Sequence, residues 1–193
     1  MSASVFYFHG GGTDKDTKDN KYLFTELPEL SNVQSVLAIY FARPEVEWDN
    51  LAARDHLRIC GAKDQIRFEI ANPDPAILVH QLATAELIFI RGGDTEILMS
   101  MLNRQHSLEV LTQDKIIIGS SAGAYVLSKY YWSNSTKSIK NGLGIANVKL
   151  FCHYETSQEP NALLLESYDD TAGYPTLRIA SGHFTKYVEG VKH

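Results

Sequence analysis

At 193 residues the chain has the length of one ordinary domain, enough to bury a core without disulfide or metal staples. A formal charge of -5 and a pI near 5.8 exclude the basic surface that nucleic acid or an anionic membrane requires as a partner. Cys60 and Cys152 fit neither a metal spacing nor a disulfide framework, and no basic leader or membrane-length apolar run is present, so a soluble cytoplasmic protein is expected.

The first β-prone run, Val5-Phe6-Tyr7-Phe8, stops at His9-Gly10-Gly11-Gly12 and reads as a strand with a glycine loop at its C-terminal end. Residues 13–20 are polar and charged, a solvated loop or the beginning of a helix. The continuous apolar run over 36–41 suits a strand buried on both faces of a parallel sheet. Trp48, Leu51 and Ala52 then repeat at helical spacing. A weaker strand over 67–70 is stopped by Asn72-Pro73-Asp74-Pro75, which can start the helix that carries Leu78, Leu82 and Ala85 on one face.

A strand over 87–90 runs straight into Arg91-Gly92-Gly93-Asp94-Thr95 and a helix over 96–103. A second helix near 108–113 leads to Ile116-Ile117-Ile118, which ends in Gly119-Ser120-Ser121-Ala122-Gly123 and continues into residues compatible with a helix. Read as strand, sharp turn and helix, this is a nucleophile elbow that lifts the Ser121 hydroxyl out of the fold. The plainer alternative is that Gly119 and Gly123 only permit a tight turn and close helix packing. Strands alternate with helices throughout, which argues a mostly parallel sheet with helices on both faces and a site at the carboxyl ends of its strands. Both glycine loops and Ser121 fall on that edge.

Beyond the elbow, Tyr130-Tyr131-Trp132 and a polar stretch to residue 141 precede Gly142-Leu143-Gly144-Ile145. A strand over 148–153 ends in a histidine, a helix covers 162–168, and 177–180 with 185–188 make a closing hairpin. No repeat, low-complexity tract or linker interrupts the chain, so a single α/β domain over 1–193 is expected.

A serine hydroxyl is a weak nucleophile until a base within hydrogen-bond reach takes its proton, and histidine suits that task near neutral pH. Of the seven histidines, His56, His80 and His106 fall in helical or loop contexts and His193 is the last residue, which leaves His9, His153 and His183 at strand ends. Two arrangements compete. One takes His9 to Gly12 as the glycine oxyanion loop of an α/β-hydrolase esterase, with Ser121, Asp169 or Asp170, and His183 in that chain order. The other takes His153 as base, with the N–H groups around Gly93 and Asp94 and that of Ala122 as the oxyanion hole.

Other polar residues carry two readings each. Asp94 and Glu96 could bind a substrate amino group, but Asp94 or Thr95 equally suits a helix N-cap. Arg91 could hold a substrate carboxylate through a bidentate pair, or form a surface salt bridge. Cys152 lies beside His153 but points to the opposite face of its strand, which makes it a core residue. Tyr125 and Val126 read as packing.

Taken together, Ile88-Phe89-Ile90-Arg91-Gly92-Gly93-Asp94-Thr95, Gly119-Ser120-Ser121-Ala122-Gly123-Ala124, Gly142-Leu143-Gly144 and the strand ending in His153 resemble the aspartyl dipeptidase (peptidase E) and cyanophycinase family of serine peptidases. The resemblance runs over about 5–188, with the N-terminal third matching only as a strand and helix pattern. It implies a three-layer α/β sandwich related to class I glutamine amidotransferases, with activity on short acidic peptides such as dipeptides with N-terminal aspartate. Carried over, Ser121 is the nucleophile and His153 the base, Gly93 falls in the glycine-rich loop of the oxyanion hole and Ala122 follows the nucleophile. Apart from the resemblance, Asp94 is expected beside Gly93 at the oxyanion, and Arg91 and Thr95 are expected to face the substrate. The family's third member, an acid that orients the histidine, has no match. Ser181-Gly182-His183 stands where a glutamate would follow the strand over 177–180, and no Asp or Glu lies between Ser121 and His153.

Such an acid fixes the tautomer of the histidine and stabilises the imidazolium. Glu155, Glu166, Asp169 and Asp170 are the available substitutes. A Ser-His dyad, a relocated acid and a degenerate relative that only binds its ligand all remain open at the level of sequence. The reading favoured is a serine peptidase acting on a small peptide, without cofactor or metal, as a monomer or homodimer.

Overall fold

The computed structural model describes residues 4–61, 65–103, 113–169, 171 and 173–188. Its strands are β1 (Val5–His9), β2 (Ser35–Ile39), β3 (Arg67–Ile70), β4 (Leu87–Ile90), β5 (Ile116–Ser120), β6 (Tyr130–Ser133), β7 (Ser138–Asn141), β8 (Lys149–Cys152), β9 (Thr176–Ile179) and β10 (Phe184–Val188). They form two sheets. One has six strands in the order β10-β1-β5-β4-β2-β3, parallel except for β10; the other has four in the order β7-β6-β8-β9, parallel except for β7.

The apolar runs of the first sheet have a direct physical reason. Phe6, Phe8, Leu37, Ile39, Ile88, Ile90 and Ile117 belong to one core cluster, and their neighbours Tyr7, Val36, Leu87, Phe89 and Ile118 to another. Successive side chains point to opposite faces, so a strand covered on both sides must be apolar at every position. Helices α4 (Pro75–Thr84), α5 (Thr95–Asn103) and α6 (Ala122–Leu127) contribute Leu78, Leu82, Leu98, Leu102 and Val126 to the first cluster. On the other face Leu23, Phe24 and Leu27 come from the segment in which α1 (Lys18–Lys21), a π-helical turn over Tyr22–Glu26 and α2 (Leu27–Leu30) follow one another. Ile59 closes that face from α3 (Trp48–Ile59). The three-layer arrangement expected from the alternation is present.

Local chemistry sets the helix starts. Asp74 accepts hydrogen bonds from the Ala76 and Ile77 N–H groups, with Pro75 as first helical residue, so the Asn-Pro-Asp-Pro stretch both ends β3 and opens α4. Helix α7 (Glu159–Ser167) carries Pro160 as its second residue and packs Ala162 and Leu165 against Trp132 and Phe151 of the second sheet.

Three sequence expectations change. The strand expected over 36–41 ends at Ile39, because Tyr40 and Phe41 leave the sheet; the Tyr40 hydroxyl donates to Asp55 and Phe41 packs on Trp48. The closing hairpin does not exist: β9 pairs in parallel with β8 in the second sheet, whereas β10 pairs antiparallel with β1 in the first. Residues 130–141, read only as an aromatic triplet and a polar stretch, form the β6–β7 hairpin. Most of the helix expected near 108–113, with His106, lies outside the described residues, as do Asp170 and His193. No helix among the described residues is long and apolar enough to cross a membrane.

Candidate active site

Ser121 stands alone between β5 and α6, at φ 51 and ψ -110. A residue with a Cβ rarely adopts positive φ, and such strain persists only where the surroundings enforce it. Here they do. The Ser121 N–H donates to the His9 carbonyl at 2.9 Å, while the N–H groups of Ala124 and Tyr125 both donate to the Ser121 carbonyl at 2.9 Å. The glycines on either side are required by close approach: a Cβ on Gly119 would lie 2.7 Å from the Gly123 carbonyl oxygen, and one on Gly123 would lie 2.1 Å from that of Ile90. The close packing these two glycines permit is thus present, and it is compatible with the elbow.

His153 follows β8 and is itself left-handed, at φ 56. Its N–H donates to the Gly10 carbonyl at 3.0 Å. The imidazole Nε2 lies 2.8 Å from Ser121 Oγ, and Nδ1 lies 2.8 Å from Ser181 Oγ. Burial, and secondarily the charge of Lys15, pushes the His153 pKa below the usual imidazole value. The pair expected from the sequence is therefore brought together, with a serine behind the histidine.

None of the described carboxylates proposed for that position partners His153. Glu155 caps the turn over Thr156–Gln158, Glu166 pairs with Arg178 at 2.7 Å, and Asp169 accepts from the Tyr130 and Thr171 hydroxyls. The Ser121 and His183 arrangement is not formed either. The His183 ring is exposed and its Nδ1 lies 3.0 Å from Asp19.

The first two N–H groups of the glycine loop after β1 are already engaged and so do not face an oxyanion as an esterase loop would. The Gly10 N–H donates to the His183 carbonyl and the Gly11 N–H to His9 Nδ1. The loop instead forms a platform for the base: a Cβ on Gly11 would lie 2.1 Å from His153 Cε1. His9, fully buried, braces it. Because Nδ1 accepts from Gly11 at 3.2 Å, Nε2 carries the proton and donates to Asn20 Oδ1 at 2.8 Å. The Asn20 amide in turn donates to the Gly12 and Lys15 carbonyls. Burial pushes the His9 pKa down to about 4, so it is neutral at physiological pH.

The second glycine loop is clamped to the turn after β2. The Asp94 N–H donates to the Ala42 carbonyl at 2.8 Å, so it is not available to an oxyanion, and the Asp94 carboxylate caps α5 through the Glu96 and Ile97 N–H groups. The oxyanion expectation for Asp94 is thereby corrected, and its Oδ1 forms the helix cap. Thr95 is simply the first residue of α5, and Glu96 pairs with Lys140 at 2.7 Å on the surface. Arg43 Nε donates to the Gly92 carbonyl at 2.8 Å. In a trans peptide the N–H of the next residue points the opposite way, and that of Gly93 has no partner among the described residues. The Ala122 N–H opens α6 and has no partner within its own helix.

Arg91 is neither exposed nor free. Its Nη1 reaches both Asp55 oxygens at 2.7 and 2.8 Å, with Arg91 5% and Asp55 2% exposed, and Asp14 lies 3.7 Å from Nη2. The salt bridge is real, but buried rather than superficial. Gly11, Gly92, Gly93, Ser121 and His153 line one cavity of about 280 Å³ together with Asp14, Arg43 and Arg91. Cys152 is buried, and burial pushes its thiol pKa up, as fits a core residue. Tyr125 stacks on Tyr131 at 4.5 Å between ring centres, so it packs as expected. Its hydroxyl also donates to the Cys152 carbonyl at 3.2 Å and accepts from the Cys152 N–H at 3.1 Å, holding the strand end before His153.

Ser181 is the residue that sequence reasoning passed over. The only signal for it was its place after β9, where an acid was sought.

The family model described as Peptidase family S51 matches residues 7–187. No curated protein matches the chain. Among solved structures, the chain is similar to a peptidase from an acI-B1 Actinobacterium, with 19% identity over 96% of this chain and 84% of that one and a TM-score of 0.64. It is similar also to a protein from Listeria monocytogenes EGD-e named for peptidase E, with 19% identity over 98% of this chain and 96% of that one and a TM-score of 0.65. At this identity the likeness is one of fold.

Proposed function

The chain belongs to peptidase family S51, and we propose that it acts there as a serine peptidase on short peptides, through an acyl-enzyme formed on Ser121. The observation that carries this reading is the 2.8 Å approach of His153 Nε2 to a serine hydroxyl held at positive φ between strand and helix. Ser121 Oγ attacks the scissile carbonyl carbon while its proton passes to His153 Nε2. The carbonyl oxygen takes up the negative charge and is met by the N–H groups of Gly93 and Ala122. His153 then gives its proton to the departing amine as the C–N bond breaks. Water attacks the acyl carbon, loses its proton to His153, and the proton returns to Ser121 as the acid product leaves.

The substrate in this reading is a small acidic peptide, of which a dipeptide with N-terminal aspartate is the leading form. The cavity is small, and its wall carries Arg43, whose terminal nitrogens have no partner among the described residues. Arg91 beside it is already matched by Asp55, which leaves Arg43 as the wall's uncommitted cation. A cytoplasmic location belongs to the same reading and is supported by the two free, buried cysteines.

Reaction with a fluorophosphonate, which phosphonylates an activated serine, tests the assignment. Ser121→Ala and His153→Ala should each lower labelling by ~10³-fold or more, and His183→Ala should leave it unchanged. Equal labelling of wild type and Ser121→Ala would sink the catalytic reading and favour a ligand-binding relative.

A further inference from the structure

His153 has a hydroxyl where the Ser-His-acid arrangement has a carboxylate, and the exchange alters what the imidazole can do. Ser181 is not there by accident of a mobile side chain. The Gly182 N–H next to it donates to the Gly11 carbonyl at 2.7 Å, the Gly182 carbonyl accepts from the Thr17 hydroxyl at 2.7 Å, and the His183 N–H donates to the Ala180 carbonyl at 3.1 Å. The same glycine loop that packs on the His153 ring thus holds the backbone beside Ser181. Ring and hydroxyl are fixed against each other at 2.8 Å.

We propose that Ser181 is the positioning residue for His153, its hydroxyl accepting the Nδ1–H and so favouring the tautomer whose Nε2 can take the Ser121 proton. The inference rests on Ser121 and His153 carrying the chemistry. A carboxylate can only accept, so it enforces one tautomer. A hydroxyl accepts or donates. With Ser181 two neutral states compete: Nδ1–H donating to Ser181 with Ser121 donating to Nε2, and the reverse pair, in which Nε2 carries the proton and cannot serve as base. Only the first is productive.

A neutral partner also leaves the imidazolium without a directly hydrogen-bonded anion. The charged and titratable groups around the ring are Lys15 on the loop after β1, buried His9 of β1, and Asp14, Arg43 and Arg91 on the cavity wall. Lys15 disfavours protonation of His153. The consequence is a base that stays neutral to lower pH than free imidazole and works more slowly than one backed by a carboxylate.

The test compares the full-length chain with Ser181→Ala, Ser181→Thr and Ser181→Asp, by fluorophosphonate labelling rate, by kcat and KM on L-aspartyl p-nitroanilide, and by nitrogen NMR of the His153 imidazole. Ser181→Ala should lower the labelling rate and kcat by ~10-fold or more, as loss of one oriented hydrogen bond implies, with little change in KM. Its imidazole signals should move toward the Nε2-protonated form. Ser181→Thr, which keeps the hydroxyl, should restore the wild-type pattern. Ser181→Asp should move the acidic limb of the rate profile up by about one pH unit or more. Wild-type labelling and an unchanged imidazole tautomer in Ser181→Ala would overturn the proposal, and the NMR readout decides it whatever the turnover. Failure of the underlying reading is distinct, since it would appear as undiminished labelling in Ser121→Ala.

Discussion

The six-stranded sheet delivers Ser121 from β5, between β1 and β4 and covered on both faces, whereas the four-stranded sheet delivers His153 from the end of β8 and Ser181 from just beyond β9. The nucleophile is therefore placed by core packing. The base is placed by a seam. The His9 carbonyl receives the Ser121 N–H within the first sheet, the Gly10 and Gly11 carbonyls receive the N–H groups of His153 and Gly182, and the Gly10 N–H returns a bond to the His183 carbonyl. Three consecutive residues, the last of β1 and the first two of the loop after it, thus set the distance between hydroxyl and imidazole. The lesson is that the 2.8 Å contact in the site depends less on either sheet than on the short glycine stretch between them.

That dependence can be broken most severely at Gly11. It has φ +90, and any Cβ would run into the His153 ring at 2.1 Å. Gly11→Ala should displace the imidazole and lower fluorophosphonate labelling by ~10²-fold or more, because misplacement by an ångström is enough to do so. The α/β core should survive, and circular dichroism with a thermal melt checks that it does. Labelling at the wild-type rate would show that the loop does not set the position of the base.

A smaller effect is expected at His9, which supports the loop from below. Its native pKa of about 4 lies below the unfolded value, so the unfolded chain binds the proton more readily. The stabilisation is fully present above pH ~6.5 and is lost as pH falls from there through about 4. Its full extent is on the order of 3 kcal/mol. Urea unfolding at pH 7.5 and 4.5 should reveal this slope, and His9→Gln should flatten it.

The first sheet's part in the site was the more legible in the sequence, and the reason is physical. A strand buried on both faces announces itself as an unbroken apolar run, and the elbow glycines follow from close approach of backbones, so β4, β5 and Ser121 could be read directly. The second sheet is shallower. Its edge strand β7 is Ser-Ile-Lys-Asn, without an apolar run, and β9 carries Thr176 and Arg178 among its four residues. Pairing partners could not be inferred from such strands, so β9 and β10 read as a hairpin although they belong to different sheets. The partner of His153 was hidden for the same reason. It is a serine in a loop 28 positions away, and a search for a carboxylate passed over it.

Substrate recognition separates the two sheets again. Arg43 follows β2 of the first sheet and touches the site through the Gly92 carbonyl rather than through His153. Arg43→Ala should therefore reduce the preference for aspartyl over alanyl p-nitroanilide by about tenfold, the scale of one charge-assisted pair. Labelling by a neutral fluorophosphonate should fall by less than that preference does, since it loses only the Arg43 bond to the Gly92 carbonyl. Equal loss on both substrates would mean that Arg43 supports the loop and does not choose the substrate.

The smallest expected effect tests the second sheet from its own side. Strand β6 pairs with β8 only where Tyr130 and Tyr131 face Lys149 and Leu150, so the ladder has ended by Cys152. There the Tyr125 hydroxyl stands in for the missing strand, accepting the Cys152 N–H and donating to the Cys152 carbonyl. Tyr125→Phe keeps the stack on Tyr131 but leaves that buried N–H without its acceptor. The carbonyl retains the Asn134 amide at 3.1 Å. The variant should lose about 1 kcal/mol of stability in urea unfolding. Labelling should fall by less than tenfold, since His153 keeps its bond to Gly10 across the seam. A loss of labelling as large as that of Gly11→Ala would move the control of the base from the glycine loop to the end of β8.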